Sequence, residues 1–324
     1  MNRPETMTIQ QKKKKRGKIR VDDLQLFALS LPTTIWYLLF CYIPMFGILI
    51  AFKKYKVAPG KGFLWSLIHN SPWCGLDNFK FLFSSNMKTT IAMFRNTVGY
   101  NIVFMALGLV LSVGLAIIIN ELNNRIAAKV YHTILFLPYF ISWIVVAYLV
   151  YAFVSAKGVF NQIFTSLGLP TINFYSEPKY WPFIFVFCNM WKYTGNNSII
   201  YLATLSGFDQ ELYEAAAIDG AGKWQQIRHI TLPQLVPTIV LLQILAVGRI
   251  FNGDFDMFYS LPNGSGPLKN VSTTLDVYVY NTMKTGAQLG LASAAAFFQS
   301  VVGFVLVLTT NLILRRVSPE MAMF

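Results

Sequence analysis

The sequence predicts an all-α membrane protein of six transmembrane helices, on three observations. Only 13% of the 324 residues are charged and 55% are hydrophobic, whereas a soluble domain carries about 25% charged residues. Mean hydropathy is +0.48. Six stretches are apolar over the length of about 20 residues that a helix needs to cross a bilayer core of about 30 Å.

The predicted spans are residues 24–52, 96–120, 130–154, 181–205, 235–251 and 289–314. The first is long and holds Pro32 and Pro44, which kink it or set its ends. The second is the cleanest, with no charge from Ile102 to Ile119. The fifth is short and begins as early as Pro233, and the last carries a run of small residues, Leu291 to Ala296, that lets helices approach closely. The sequence divides into a basic tail (1–23), the first span with a long loop (24–95), a core of five spans (96–316) and a short tail (317–324).

The net charge of +13 does not point to nucleic acid. Much of the excess sits in one run, Lys12 to Arg16 with Lys18 and Arg20, directly before the first span. Such a run anchors a segment to anionic lipid on the cytoplasmic side. The apolar stretch behind it is too long for a signal peptide and lacks a small-residue cleavage site. With an even number of spans, both termini are therefore expected in the cytoplasm. The loop 53–95 then faces outward and exceeds most connections in length. Its aromatics Phe63, Trp65, Trp73, Phe79, Phe81 and Phe83 suit the membrane interface or an external partner. Cys41, Cys74 and Cys188 are scattered, and neither a disulfide framework nor a metal-binding spacing is present.

The loop 207–237, cytoplasmic in this orientation, is the most informative segment. Leu212 to Ile218 reads as one short helix, stopped by Asp219-Gly220, with Gly220 suited to a left-handed cap. Lys223 to His229 reads as a second, ended by Thr231-Leu232-Pro233. Helices this short are unstable alone in water and need a surface to pack on. The pattern EAAAIDGAGKWQQIRHITLP, with Glu214, Ala215, Ala216, Asp219, Gly220, Ala221, Ile230, Leu232 and Pro233 in place, resembles the EAA coupling motif of bacterial binding-protein-dependent ABC importers. Ile227 stands where that family often has Phe. Leu137-Pro138-Tyr139, Asn189 with Trp191, and the turn Asn263 to Pro267 are similar to the sugar-importer branch, and the two tails resemble permeases for oligo- and polysaccharides, alginate and other uronate polymers among them.

The resemblance implies a type I importer permease in the bacterial inner membrane. It implies a second permease, forming a heterodimer, two ATPase subunits that grip the bracket, and an extracytoplasmic solute-binding protein. Glu214 is the implied electrostatic contact to the ATPase, and Ala215, Ala216, Asp219, Gly220, Ala221 and Pro233 shape the bracket. ATPase closure moves the bracket and swings the bundle from inward- to outward-facing. No cofactor is expected on this chain. Gly222-Lys223 only echoes a phosphate loop: Ala217 stands where its first Gly belongs, and Trp224 follows the Lys. ATP and Mg belong to the partners.

Charged side chains inside spans are costly and mark function. Lys192 and Arg249 are the two such cations. Asn189, Lys192, Tyr193 and Asn196 share one helical face, and Tyr139 and Trp143 fall one turn apart on the third span. In the sugar-importer relatives the sugar site lies on these helices. With Arg249 and Asn252 these residues form the candidate substrate set. A buried ammonium and a guanidinium favour an acidic sugar, since Arg pairs with a carboxylate through two hydrogen bonds. The competing expectation is structural, with Arg249 paired to Asp254 or Asp256 and Lys192 reaching to the interface. A neutral oligosaccharide is the alternative substrate. An ion-coupled secondary transporter is the alternative class, but no internal repeat and no carboxylate well inside a span support it.

Overall fold

A computed structural model describes residues 21–83, 87–122, 124–286 and 289–322. The basic run Lys12 to Arg20 lies outside these residues. The chain divides into two compact units, one up to Leu49 and one from Ile50 onward.

From Val21 onward, the first unit is a single helical run. Helix α1 spans Val21–Tyr37 and accommodates Pro32. A π-turn, Leu38–Tyr42, follows, in which the Ile43 amide reaches back five residues to the Leu38 carbonyl. The next residue is Pro44, which lacks an amide hydrogen and crowds the carbonyl four residues back. The wider turn relieves that crowding, so the run continues through the proline.

In the second unit, α2 spans Met87–Asn120, α3 Arg125–Phe136, α4 Trp143–Val154, α5 Val159–Ser166 and α6 Trp181–Ser206. Then come α7 at Gln210–Ile218, α8 at Lys223–Gln226 and α9 at Leu232–Val247. Short helices α10 at Phe255–Ser260 and α11 at Lys269–Ser272 lead to α12, Leu275–Gly286, and α13, Leu289–Val317. No named strand occurs among the described residues.

Five helical stretches are long and apolar enough to cross a membrane: Gln25–Phe52, Lys88–Asn120, Trp143–Ser166, Lys223–Val247 and Leu289–Arg316. Helix α6, at the place of the predicted fourth span, has 26 residues. At 1.5 Å per residue it reaches about 39 Å, enough to span. Its asparagines and Lys192 leave it less apolar than the rest.

Two of the changes from the predicted boundaries have a visible cause. The expected continuous span 130–154 is broken, because a 3-10 turn at Leu137–Phe140 and an extended Ile141 separate α3 from α4. Pro138 removes one helical amide, and Ser142 then caps α4 by accepting from the Val145 amide at 3.4 Å. The second helix of the 207–237 loop does not end at Pro233. A π-turn at Ile227–Thr231, in which the Leu232 amide donates to the Ile227 carbonyl, carries α8 into α9. This is the device seen before Pro44.

Long helices α2 and α6 form the main seam. Near the start of α6, Trp181, Phe185 and Cys188 bury against Trp143, Met257, Phe258, Leu261 and Leu268. Near its end, Tyr201 and Leu205 pack with Val113, Ala116 and Leu235. The small-residue run of α13 packs inside the chain, with Ala294 and Ala295 buried against Ala51, Met93 and Leu275.

The 53–83 segment is folded. Lys53 is buried, donating to the carbonyls of Leu67 at 2.7 Å and Ile68 at 3.4 Å, with its ammonium over the Trp73 ring. The Asn78 amide ties in the carbonyls of Ile50, Ala51 and Lys53. Of the loop aromatics, Phe79 packs inward on Phe52 and Phe297, while Trp73 stays exposed. Asp77 bonds Lys80 at 2.8 Å, and that ion pair holds its carboxyl below the usual range.

Candidate functional site

The EAA-like loop forms a bracket of two helices at one end of the bundle. Asp209 caps α7 by accepting from the Glu211 amide at 3.0 Å. The helix closes with the Gly220 amide on the Ala217 carbonyl and the Ala221 amide on the Ala216 carbonyl, at 3.1 and 2.9 Å. This is a Schellman arrangement, and Gly220 adopts φ +80° to complete it. The Gln225 side chain accepts from the Gly222 amide at 2.8 Å and sets the start of α8.

Inside the bracket, the hydroxyls of Tyr213 and Thr231 meet at 3.1 Å. Lys223 pairs with Glu121, just beyond α2, at 2.8 Å. Glu214, Ala215, Asp219, Gly220 and Pro233 are exposed, and Ala216 and Ala221 are half-buried. Ile218 is 87% exposed and Trp224 71%. A bracket this well capped, with its largest apolar groups turned outward, presents a surface suited to a partner protein.

The candidate substrate residues do not form one group. Lys192 is buried, and its ammonium donates to the carbonyls of Tyr139 at 2.9 Å, Pro138 at 3.4 Å and Ile141. Those carbonyls lie where the third predicted span breaks, and the Pro138 carbonyl also accepts from the Ile141 amide at 3.1 Å. The same ammonium lies over the rings of Trp143 at 5.3 Å and Tyr193 at 5.9 Å. On their polar sides, Trp143 Nε1 and the Tyr193 hydroxyl both donate to one Asp254 oxygen, at 3.0 and 2.8 Å. The other Asp254 oxygen caps α10 through the Met257 amide. Cation, two aromatic rings and carboxylate thus form one closed stack.

Asp254 was missed as part of this site, because in sequence it reads only as a loop residue beyond the fifth span. The available signal was its place directly before α10, where Asp is a preferred cap. Asn189 is buried on the same face of α6, Asn196 is half-buried, and Tyr139 is partly exposed at the edge of the stack.

Replacing Lys192 with methionine is expected to destabilise the chain by about 3 kcal/mol or more. It strips a partner from three carbonyls and leaves Asp254 without its counter-charge. Thermal unfolding of the purified chain in detergent measures the loss, and an unchanged midpoint counts against the clamp.

Arg249 and Asn252 lie elsewhere, on the turn after α9, and both are exposed. Arg249 forms no ion pair among the described residues, so the expected pairing with Asp254 or Asp256 does not occur. The turn itself is held firmly. The Asn101 side chain donates to the carbonyls of Ile250 and Asn252. Gln299 bridges the Phe251 carbonyl and Asp276, which also accepts from the Gly253 amide at 2.5 Å.

Residues 108–321 match the family described as binding-protein-dependent transport system inner membrane component. The chain belongs to that family. It is therefore a multi-pass inner-membrane transport component, and its bracket lies within the matched region. The permease is 33% identical to Protein LplB of Bacillus subtilis (strain 168), over 92% of this chain and 91% of that one. It is 32% identical to the polygalacturonan/rhamnogalacturonan transport system permease protein YteP of the same strain, over 95% and 94%. Among solved structures it is similar to a bacterial ABC transporter involved in the import of the acidic polysaccharide alginate. That likeness has 35% identity and a TM-score of 0.79, over 92% of this chain and 97% of that one.

Proposed function

We propose that this permease is one half of a heterodimeric importer that carries an acidic oligo- or polysaccharide of the uronate type into the cytoplasm. Two separate ATPase subunits bind and hydrolyse ATP with Mg, grip the 207–237 bracket and drive the cycle. An extracytoplasmic solute-binding protein delivers the substrate. Helix α6, fourth in chain order, brings the number of spans to six, and both termini lie in the cytoplasm. The chain itself holds no cofactor and performs no catalysis.

The observation that carries the transport reading is the bracket, capped at both helix ends, exposed, and joined without a break to a membrane-spanning helix. The substrate class draws support from two relatives, one a polygalacturonan/rhamnogalacturonan permease and the other an importer of alginate. Within the chain, Arg249 is the intramembrane cation left available to a carboxylate, because Lys192 is occupied by carbonyls and by the stack with Asp254. That occupation favours one further reading: the Lys192 face is support, and the sugar meets Tyr139 at its rim.

Replacing Arg249 with methionine is expected to reduce uptake of an acidic oligosaccharide by about tenfold or more, the scale of one charge-assisted hydrogen-bonded pair. Uptake of a neutral chain of equal length is expected to stay within about twofold of wild type. Reconstituted transporter with labelled substrates measures both. Equal losses for the two substrates remove the charge-matching part of the proposal.

A further inference from the structure

One cavity is lined by none of the residues of the Lys192 stack, the Arg249 turn or the bracket. It has a volume of about 1140 Å³ and opens to one side between the start of α2, α4, and the segment from α10 to α12. Pockets for single small ligands occupy about 300–1,000 Å³, so this one has room for a chain of sugars. Lys88, Lys269 and Lys284 line it, with Tyr148, Tyr151 and Tyr259, while no Asp or Glu does among the described residues. The three lysines are exposed and form no ion pair among the described residues. They come from three separate elements, so their convergence is a product of the fold.

One wall is rigid. It is the turn Asn263-Gly264-Ser265, where Asn263 and Gly264 take φ of +47° and +71° and the Ser265 hydroxyl donates to the Tyr175 carbonyl at 2.7 Å. Lys88, near the start of α2, is separated from Glu121, beside the bracket, by about 50 Å of helix. That exceeds a bilayer core of about 30 Å, so cavity and bracket lie on opposite sides of it.

We infer that this lysine- and tyrosine-lined cavity is the receiving site for an anionic oligosaccharide, engaged before the chain reaches the turn that carries Arg249. The inference rests on the acidic-substrate reading above and adds to it a separate site. Three ammonium groups in one concavity without a carboxylate attract carboxylates at successive sugar rings. Tyrosine rings offer flat apolar faces with a hydroxyl at the edge, suited to sugar rings. Lysines that merely anchored to lipid would ring the bundle instead of meeting in one recess.

The test uses the assembled transporter in lipid nanodiscs, with Thr89→Cys introduced at the cavity wall and Cys41 and Cys74 changed to serine. Maleimide labelling of the new thiol is timed with a uronate pentasaccharide or a neutral glucose pentasaccharide. The expected result is protection by the acidic chain only, lost in the triple variant K88M/K269M/K284M and kept when the same lysines become arginines. In uptake assays the triple methionine variant is expected to raise the apparent KM for the acidic chain about tenfold, with kcat within about twofold.

Absence of protection, equal protection by the neutral chain, or an unchanged KM overturns the inference. So does a thiol already blocked before sugar is added, which marks the recess as covered by a partner subunit. A wild-type transporter that imports only the neutral chain overturns the acidic-substrate reading instead, and the labelling experiment still judges the cavity by itself.

Discussion

Changing Glu214 to lysine is expected to abolish ATP-driven uptake while leaving a chain that folds and inserts. Glu214 is exposed on α7 and forms no ion pair among the described residues. The helix that carries it is fixed by the Asp209 cap and the turn at Gly220. Nothing among the described residues therefore depends on this carboxylate. In a desolvated interface, placing a positive charge where a negative one is matched costs several kcal/mol. At about 1.4 kcal/mol per tenfold, that weakens docking by about 100-fold or more. Two measurements check it: retention of the ATPase during purification, and ATP hydrolysis stimulated by loaded binding protein. A variant that keeps its ATPase and its full stimulation shows that the bracket is not the docking element.

The second large effect is expected at Gly195. It is buried on α6, and a Cβ there would meet the Leu135 carbonyl and the Phe136 amide nitrogen of α3. These are backbone atoms and cannot rotate away. Even alanine must push the two helices apart, next to the break that Lys192 stabilises one turn earlier. Overpacking a core costs about 1–3 kcal/mol, and a backbone obstacle places Gly195→Ala at the upper end or beyond. Gly114→Ala is the matched control. It lies within α2, where a Cβ would meet nothing within 4 Å. There alanine is expected to stabilise by about 0.5–1 kcal/mol, because glycine is the poorer helix former. Opposite shifts of the unfolding midpoint for the two substitutions are the expected outcome. A neutral Gly195→Ala shows that α3 and α6 are not in backbone contact.

Five of the predicted spans overlap helical stretches long and apolar enough to cross a membrane, because each is a local run of apolar residues, and the bracket was legible because its pattern is complete within about twenty consecutive positions. What sequence reading missed is tertiary. The break after Phe136 shows only as Pro138, and what makes it tolerable is an ammonium on another helix that binds the carbonyls there. Lys192 was singled out as a candidate substrate residue, whereas its partners in the structure are carbonyls, two rings and Asp254. Pro233, at the end of the bracket, misled. A proline after a helix normally argues for its end, yet before Pro44 and Pro233 a single residue of extra winding absorbs the conflict. The cavity lysines stand far apart in sequence, at 88, 269 and 284, and only the folding of α2, α11 and α12 brings them to one recess.

The unbroken passage from α8 through the π-turn into α9 has a mechanical consequence. Lys223 to Val247 is 25 residues, so the segment is a rod of about 37 Å. The bracket holds one end and the Arg249 turn follows directly on the other. If the rod pivots near its middle, a tilt of 10° displaces both ends by about 3 Å in opposite directions. A push delivered at the bracket thus arrives at Arg249 reversed in sign and undiminished in size, as in a rocker arm. The extra winding at Ile227–Thr231 keeps that arm in one piece across Pro233.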